Sequence, residues 1–145
     1  MKLRLLLAAG LVLAAPLFAS AATAAMHPQL GAKLTGAGEV PKASPSGKGI
    51  VNLDLKTAGK VCWTFDVKGI GTPTAAHIHK GGAGVAGPIV VPLGGAYKAK
   101  GCAPATKSVV AAIEASPSAY YVNVHTAKYP NGAIRGQLVV GMVHM

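Results

Sequence analysis

The stretch VNLDLKTAGKVCWTFDV, residues 51–67, decides the fold class. Apolar residues alternate with polar or small ones from Val51 to Leu55, and the alternation resumes from Val61 to Val67. A period of two is typical of a strand that buries one face and exposes the other. A short turn at 57–60 joins the two runs, so the segment predicts an antiparallel hairpin.

Short alternating runs broken by glycine and proline continue along the chain, which holds 19 Gly and 10 Pro. This pattern favours an all-β sandwich or barrel with helix as a minor element. An edge strand can start at Gly31, and residues 39–48 are expected to form a loop. Further strands are predicted at 74–79, 88–93, 120–126 and 133–140, and one short helix at 106–115.

The first 24 residues have the features of a secretory signal peptide. Lys2 and Arg4 precede an apolar run from Leu5 to Phe18, which is followed by a small-residue stretch with two Ala-x-Ala motifs. The run is too short to span a bilayer, and we expect no transmembrane segment elsewhere. Residues 1–24 are therefore predicted to be removed, leaving residues 25–145 as a single periplasmic or secreted domain.

The chain is strongly basic, with 14 Lys and Arg against four acidic residues and a formal net charge of +10. Loss of Lys2 and Arg4 with the signal peptide leaves about +8. The remaining lysines are scattered singly without interleaved aromatic residues, so nucleic-acid binding is not expected. The charge instead favours a solvated face that meets an envelope surface or a protein. The four carboxylates form no close pair, which disfavours glycosidase chemistry.

Cys62 and Cys102 are the two cysteines of the chain. In an oxidising compartment such a pair predicts one disulfide, and a two-thiolate metal site is the alternative. A disulfide that closes a loop of about 41 residues would stabilise the fold by roughly 4 kcal/mol through the entropy of the unfolded chain.

Three histidines offer ligands for a metal site. His77 and His79 are two positions apart, so on a strand both imidazoles face the same side. Asn123 and His125 share a face of a later strand in the same way. If the two strands meet, the three imidazoles could bind copper or zinc, for which neutral imidazole is a strong ligand. The alternative is that these histidines hydrogen-bond to tyrosine or backbone groups and support loops.

Weaker metal-binding features lie at the two ends of the domain. If cleavage follows Ala24, His27 becomes the third residue and completes a square-planar Cu(II) or Ni(II) site with the amine and two backbone amides. At the other end, the thioethers of Met142 and Met145 lie near His144 in the sequence, and such ligands suit Cu(I). Frayed apolar termini explain both features equally well.

Two longer segments carry a resemblance to a known family. TPTAAHIHKGGAGVAGPIVVPL (72–93) and SAYYVNVHTAKYPNGAIRGQL (118–138), together with the paired cysteines, closely resemble the chordin-type CHRD domain of exported bacterial proteins. The resemblance covers nearly all of residues 25–145. It implies an immunoglobulin-like or superoxide-dismutase-like Greek-key β-sandwich, to which the residues above add one short helix and one disulfide. No general enzymatic activity comes with this resemblance.

The H-x-H pair followed by a later strand histidine is also similar to the copper side of Cu/Zn superoxide dismutase. Here His77, His79 and His125 could supply three ligands, whereas His27 and His144 lie at the ends of the domain. We therefore expect one mononuclear copper site in an exported, non-enzymatic protein that sequesters or buffers the metal. The alternatives are a copper-dependent, dismutase-like redox enzyme and a metal-free envelope or adhesion protein.

Overall fold

Nine strands, one α-helix and two 3-10 helices (Gly36–Gly38 and Pro117–Ala119) make up the regular structure in the computed structural model, which describes residues 28–56 and 59–145. The strands are β1 (Gln29–Thr35), β2 (Lys48–Lys56), β3 (Lys60–Lys68), β4 (Pro73–Lys80), β5 (Ile89–Pro92), β6 (Lys100–Pro104), β7 (Tyr120–Thr126), β8 (Ile134–Gln137) and β9 (Val139–Val140), and the helix α1 spans Lys107–Ala115. Within the two described ranges, no helix has the length and hydropathy needed to cross a membrane. The predicted signal peptide and His27 lie outside the described residues.

One sheet contains all nine strands, in the order β5-β4-β7-β8-β1-β2-β3-β6, with β9 added beside β1. The segment between β5 and β6 nearly closes this sheet into a barrel. The amides of Leu93 and Tyr97 donate to carbonyls of β4, and the Ala99 carbonyl accepts from an amide of β3. The all-β prediction is confirmed, but this hydrogen bonding does not confirm a Greek-key sandwich of two separate sheets.

The hairpin predicted from residues 51–67 forms as β2 and β3. Its register places Leu53 opposite Trp63, and the alternating apolar side chains of both strands are buried, apart from the partly buried Val67. They join a single core with inward-facing residues of the other elements, among them Leu34, Ile78 and Ile113. Each such side chain stabilises the fold by about 1.5–3 kcal/mol when it leaves water, which is why the period-two pattern fixes the hairpin.

Helix α1 confirms the helix predicted at 106–115. The Thr106 hydroxyl accepts a hydrogen bond from the Val109 amide and so caps the first turn. On the inward face, Val110 and Ile113 are buried in the core. One polar cap and a narrow apolar face therefore define this short helix.

The predicted disulfide joins Cys62 of β3 to Cys102 of β6. The two residues are directly opposed in the register, and their Cα atoms are 3.9 Å apart. Since β6 is the last strand on its side of the sheet, the disulfide fixes an edge strand to its neighbour.

Two strands differ from their prediction, one in its place in the sheet and one in its continuity. The strand that contains Gly31 is not at an edge, because β1 lies between β2 and β8. The strand predicted at 133–140 divides at Leu138 into β8, which pairs with β7, and β9, which pairs with β1. Leu138 is fully buried and its amide donates to the Tyr120 carbonyl, so the chain changes partner strand at this residue.

Candidate metal centre

The candidate metal centre lies on the outer face of the neighbouring strands β4 and β7. Ile78 and Val124 are fully buried and point into the core, so the residues on either side of them point outward. In the register, His77 is opposite Asn123 and His125 is opposite Ala75. The predicted sharing of one face by these imidazoles is therefore observed.

The three histidines converge on one point of this face. One nitrogen from each of His77, His79 and His125 lies within 4.8 Å of the other two. The Nδ1 atom of His77 is only 2.9 Å from the Nε2 atom of His125. Sequence spacing predicts the His77–His79 pair, and the β4–β7 pairing supplies the third ring. A group with this arrangement could hold one metal ion.

Backbone carbonyls fix the orientation of two rings. The Nδ1 atom of His79 is 2.8 Å from the Gly87 carbonyl oxygen, and that of His125 is 2.9 Å from the Pro130 carbonyl oxygen. A carbonyl oxygen only accepts hydrogen bonds, so each Nδ1 carries the hydrogen and each neutral ring presents Nε2 as a bare lone pair. Metal-bound histidines typically have this second hydrogen bond, which sets the tautomer.

Asn123 stands between the same two rings, and sequence reasoning assigned it no ligand role. Its side chain is buried, with 2% of its surface exposed. The Oδ1 atom is 3.0 Å from Nε2 of His125 and 3.1 Å from Nε2 of His79. The only sequence signal for this residue is its position two before His125, which puts it on the histidine face.

The surroundings of the cluster favour uncharged imidazoles. Burial lowers the pKa of His77 to about 4, and the nearby His125 and His79 rings add to the effect. Burial also lowers the pKa of His79, although the hydrogen bonds with Gly87 and Asn123 oppose this. Since a metal binds only the unprotonated nitrogen, these two rings are ready to act as ligands at neutral pH.

A glycine-rich loop, residues 81–87, folds over this face. The Tyr121 ring stacks on the His79 ring with centroids 4.7 Å apart, and its hydroxyl accepts a hydrogen bond from the Gly87 amide. Arg135 lies over the Tyr121 ring, 3.3 Å from its centroid, and donates to the Gly82 carbonyl. The loop is thus fastened to β7 and β8, which places the Gly87 carbonyl correctly for His79.

A buried carboxyl group lies beside Arg135 and was not singled out in the sequence. Only 7% of Glu39 is exposed, and among the described residues its Oε1 atom has no hydrogen-bond partner. Burial raises the pKa of Glu39 to about 7, although the Arg135 charge acts in the opposite direction. The residue falls in the stretch 39–48 that the sequence marks as a loop, where a buried acid is not expected.

The metal-binding features predicted at the ends do not join this centre. Met142 lines a groove that also contains the Cys62–Cys102 disulfide, and His144 is exposed. The three-histidine group found among the described residues does not include His144. The square-planar site that needs His27 lies outside the described residues.

Fold and site together define a class of protein: an all-β, disulfide-bonded domain with a cluster of three histidines on the outside of its sheet. A family model described as CHRD domain matches residues 30–138. The chain therefore belongs to the CHRD domain family, and the resemblance drawn from the 72–93 and 118–138 segments is confirmed. Comparison with the curated proteins and with the solved structures gave no match.

Proposed function

We propose that this CHRD domain binds one copper ion through His77, His79 and His125 and serves to sequester or buffer the metal. The observation that carries the proposal is the convergence of three imidazoles, two of which are oriented by backbone carbonyls so that Nε2 faces the cluster. Three neutral imidazoles suit copper and zinc, and copper binds more tightly than zinc to a given nitrogen site. Copper is therefore the metal we assign to the centre.

The spacing of the ligand atoms supports a single ion. Two nitrogens bound to one metal at about 2.0–2.1 Å can be at most about 4.2 Å apart. The 2.9 Å between His77 and His125 fits this limit, and the 4.8 Å that bounds the whole group exceeds it by a small margin. A small inward movement of one ring would complete the site.

We further propose that the domain is exported and works in the periplasm or outside the cell. The signal-like residues 1–24 and the Cys62–Cys102 disulfide support this location, because disulfides persist in oxidising compartments. The basic surface is compatible with an anionic envelope as a neighbour.

A second candidate function is supported by the same hydrogen bonds. His79 and His125 each hold a loop through its carbonyl oxygen, so both rings stabilise the fold even without metal. In a metal-free adhesion or envelope protein, this would be their whole role. His77 distinguishes a metal-binding role from a purely structural one. Among the described residues its ring bonds only His125 and holds no loop, so a purely structural role does not account for it.

Titration of residues 25–145 carrying His27→Ala with Cu(II), Cu(I) and Zn(II), followed by calorimetry, tests the proposal, because this substitution removes the amino-terminal Cu(II) site that His27 would otherwise complete. We expect one equivalent of copper to bind, His77→Ala to weaken binding without loss of fold, and the His77, His79 and His125→Ala triple variant to abolish it. His144→Ala, which changes an exposed histidine outside the cluster, is the matched control and should bind normally. Wild-type affinity in the triple variant, or no binding by the wild type, would refute the metal site.

A redox enzyme is distinguished from a buffering protein by turnover. If the copper-loaded protein removes superoxide faster than the same amount of free copper, and His77→Ala reduces that rate, the dismutase-like alternative is correct. Stoichiometric binding without such a rate supports sequestration.

A further inference from the structure

The contacts of Asn123 go beyond those of a supporting residue. Because Gly87 and Pro130 hold the hydrogens on the Nδ1 atoms, the Nε2 atoms of His79 and His125 both present lone pairs to the Asn123 side chain. The amide oxygen Oδ1 also carries only lone pairs. While both rings are neutral, no hydrogen lies between Oδ1 and either Nε2 atom, at 3.0 and 3.1 Å, and either a proton on a ring or a metal ion among these atoms removes the repulsion between their lone pairs.

Three of the distances between these donor atoms are compatible with a coordination sphere. Donor atoms bound to one metal at about 2.0–2.1 Å are about 2.8–3.4 Å apart when they lie at right angles or at tetrahedral angles. The three measured separations are 2.9 Å from His77 to His125, 3.0 Å from His125 to Asn123 and 3.1 Å from His79 to Asn123. All three fall within that range, which overlaps that of hydrogen bonds, so Oδ1 lies where it could act as a fourth ligand.

We propose that Asn123 is the fourth ligand of this centre and that its carboxamide has two orientations. With metal bound, Oδ1 coordinates the ion beside the three imidazoles. Without metal, the amide turns over so that its NH2 group donates to the Nε2 atom of His79, while His77 Nδ1 donates to the Nε2 atom of His125. The inference rests on the proposed copper site and adds a ligand that determines metal preference.

This ligand set favours dications. An amide oxygen is a hard donor that suits Cu(II) and Zn(II), whereas Cu(I) prefers soft ligands and gains little from oxygen. Asn123 is almost fully buried and directly opposite His77 in the register, so its side chain has no alternative position in solvent. The centre should therefore bind Cu(II) more tightly relative to Cu(I) than three imidazoles alone would.

Two substitutions test the fourth ligand by the ratio of affinities for Cu(II) and Cu(I). We expect Asn123→Ala to weaken Cu(II) and Zn(II) binding by at least about 10-fold and to leave Cu(I) binding within about 2-fold. Asn123→Asp, which supplies an anionic oxygen of the same size, should restore or increase Cu(II) affinity. Asn52→Ala is the matched control, because this amide bonds the Val143 backbone and lies on β2, away from the histidine rings.

Nitrogen-15 NMR of the wild-type protein tests the two orientations without a variant. We expect the Asn123 NH2 group to be coupled to the Nε2 atom of His79 in the metal-free protein, and the coupling to vanish with one equivalent of Zn(II). Unchanged Cu(II) affinity in Asn123→Ala, or an equal loss for Cu(II) and Cu(I), would overturn the ligand role while leaving the three-histidine site intact. No copper binding by the wild type would instead refute the proposed function itself.

Discussion

Replacing Glu39 by glutamine should change how the stability of the domain depends on pH. The carboxyl group is buried beside Arg135, and one of its oxygens has no hydrogen-bond partner in the part of the chain that the structure describes. Ionising such a group inside the protein costs free energy that the unfolded chain does not bear. Glutamine has nearly the same shape and does not ionise, so it isolates this cost.

The sign and the magnitude follow from the pKa. Below about pH 4.5, the ordinary pKa, Glu39 is protonated in both states and imposes no penalty. As the pH rises towards 7, the unfolded chain ionises first and the free energy of unfolding falls, until the folded carboxyl also ionises. The interval between 4.5 and about 7 corresponds to a loss of about 3 kcal/mol. The glutamine side chain of the variant adds a pH-independent cost of about 1–3 kcal/mol if its amide hydrogens lack acceptors.

Urea unfolding at several pH values from 4 to 8, with a chelator present and the disulfide intact, provides the assay. The free energy of unfolding of Glu39→Gln minus that of the wild type should rise by about 3 kcal/mol across this range, whatever its value at pH 4. Glu114→Gln, at a partly exposed carboxyl group of α1, is measured in parallel as the comparison for the same chemical change outside the buried site. A flat difference for Glu39→Gln would show that burial does not perturb this group.

Two further predictions concern the elements that frame the sheet. The Cys62→Ala and Cys102→Ala double variant should lose about 4 kcal/mol of unfolding free energy in urea, because the disulfide closes a long loop; a loss below about 1 kcal/mol would contradict this. Thr106→Ala removes the hydroxyl that caps α1 and should cost about 1 kcal/mol in the same assay, whereas Thr106→Ser should cost much less.

Local patterns in the sequence predict the hairpin, the helix and the pairing of the cysteines. The alternation in residues 51–67 is a property of one segment, and burial of its apolar side produces β2 and β3. Closure of the sheet depends on contacts that no local pattern records, such as the bonds of the 93–99 segment with β3 and β4. For the same reason, the interior position of β1 is not visible in its sequence, which looks like that of an edge strand.

Local sequence patterns likewise predict one part of the candidate site, whereas the fold defines the other part. A period of two is enough to place His77 and His79 on one face, and the β4–β7 register then determines whether His125 joins them. The ligand role proposed for Asn123 depends on carbonyl groups of residues 87 and 130, whose positions only the folded loops define. Glu39 was missed because proline and serine neighbours indicate an exposed loop, whereas the packing around the carboxyl keeps it buried.

The pairing of β1 with β8 and β9 also sets the order of events during folding. Thr35 pairs with Arg135 and Leu30 with Val140. The interior strand β1 therefore completes its pairing only after β8 and β9, about 100 residues later in the chain, are available. Contacts between such distant positions slow folding, because a long loop must close before they form. A chain of this topology cannot complete its sheet while its last residues are still being synthesised. Under the proposed export, this delay would keep the chain unfolded while it crosses the membrane.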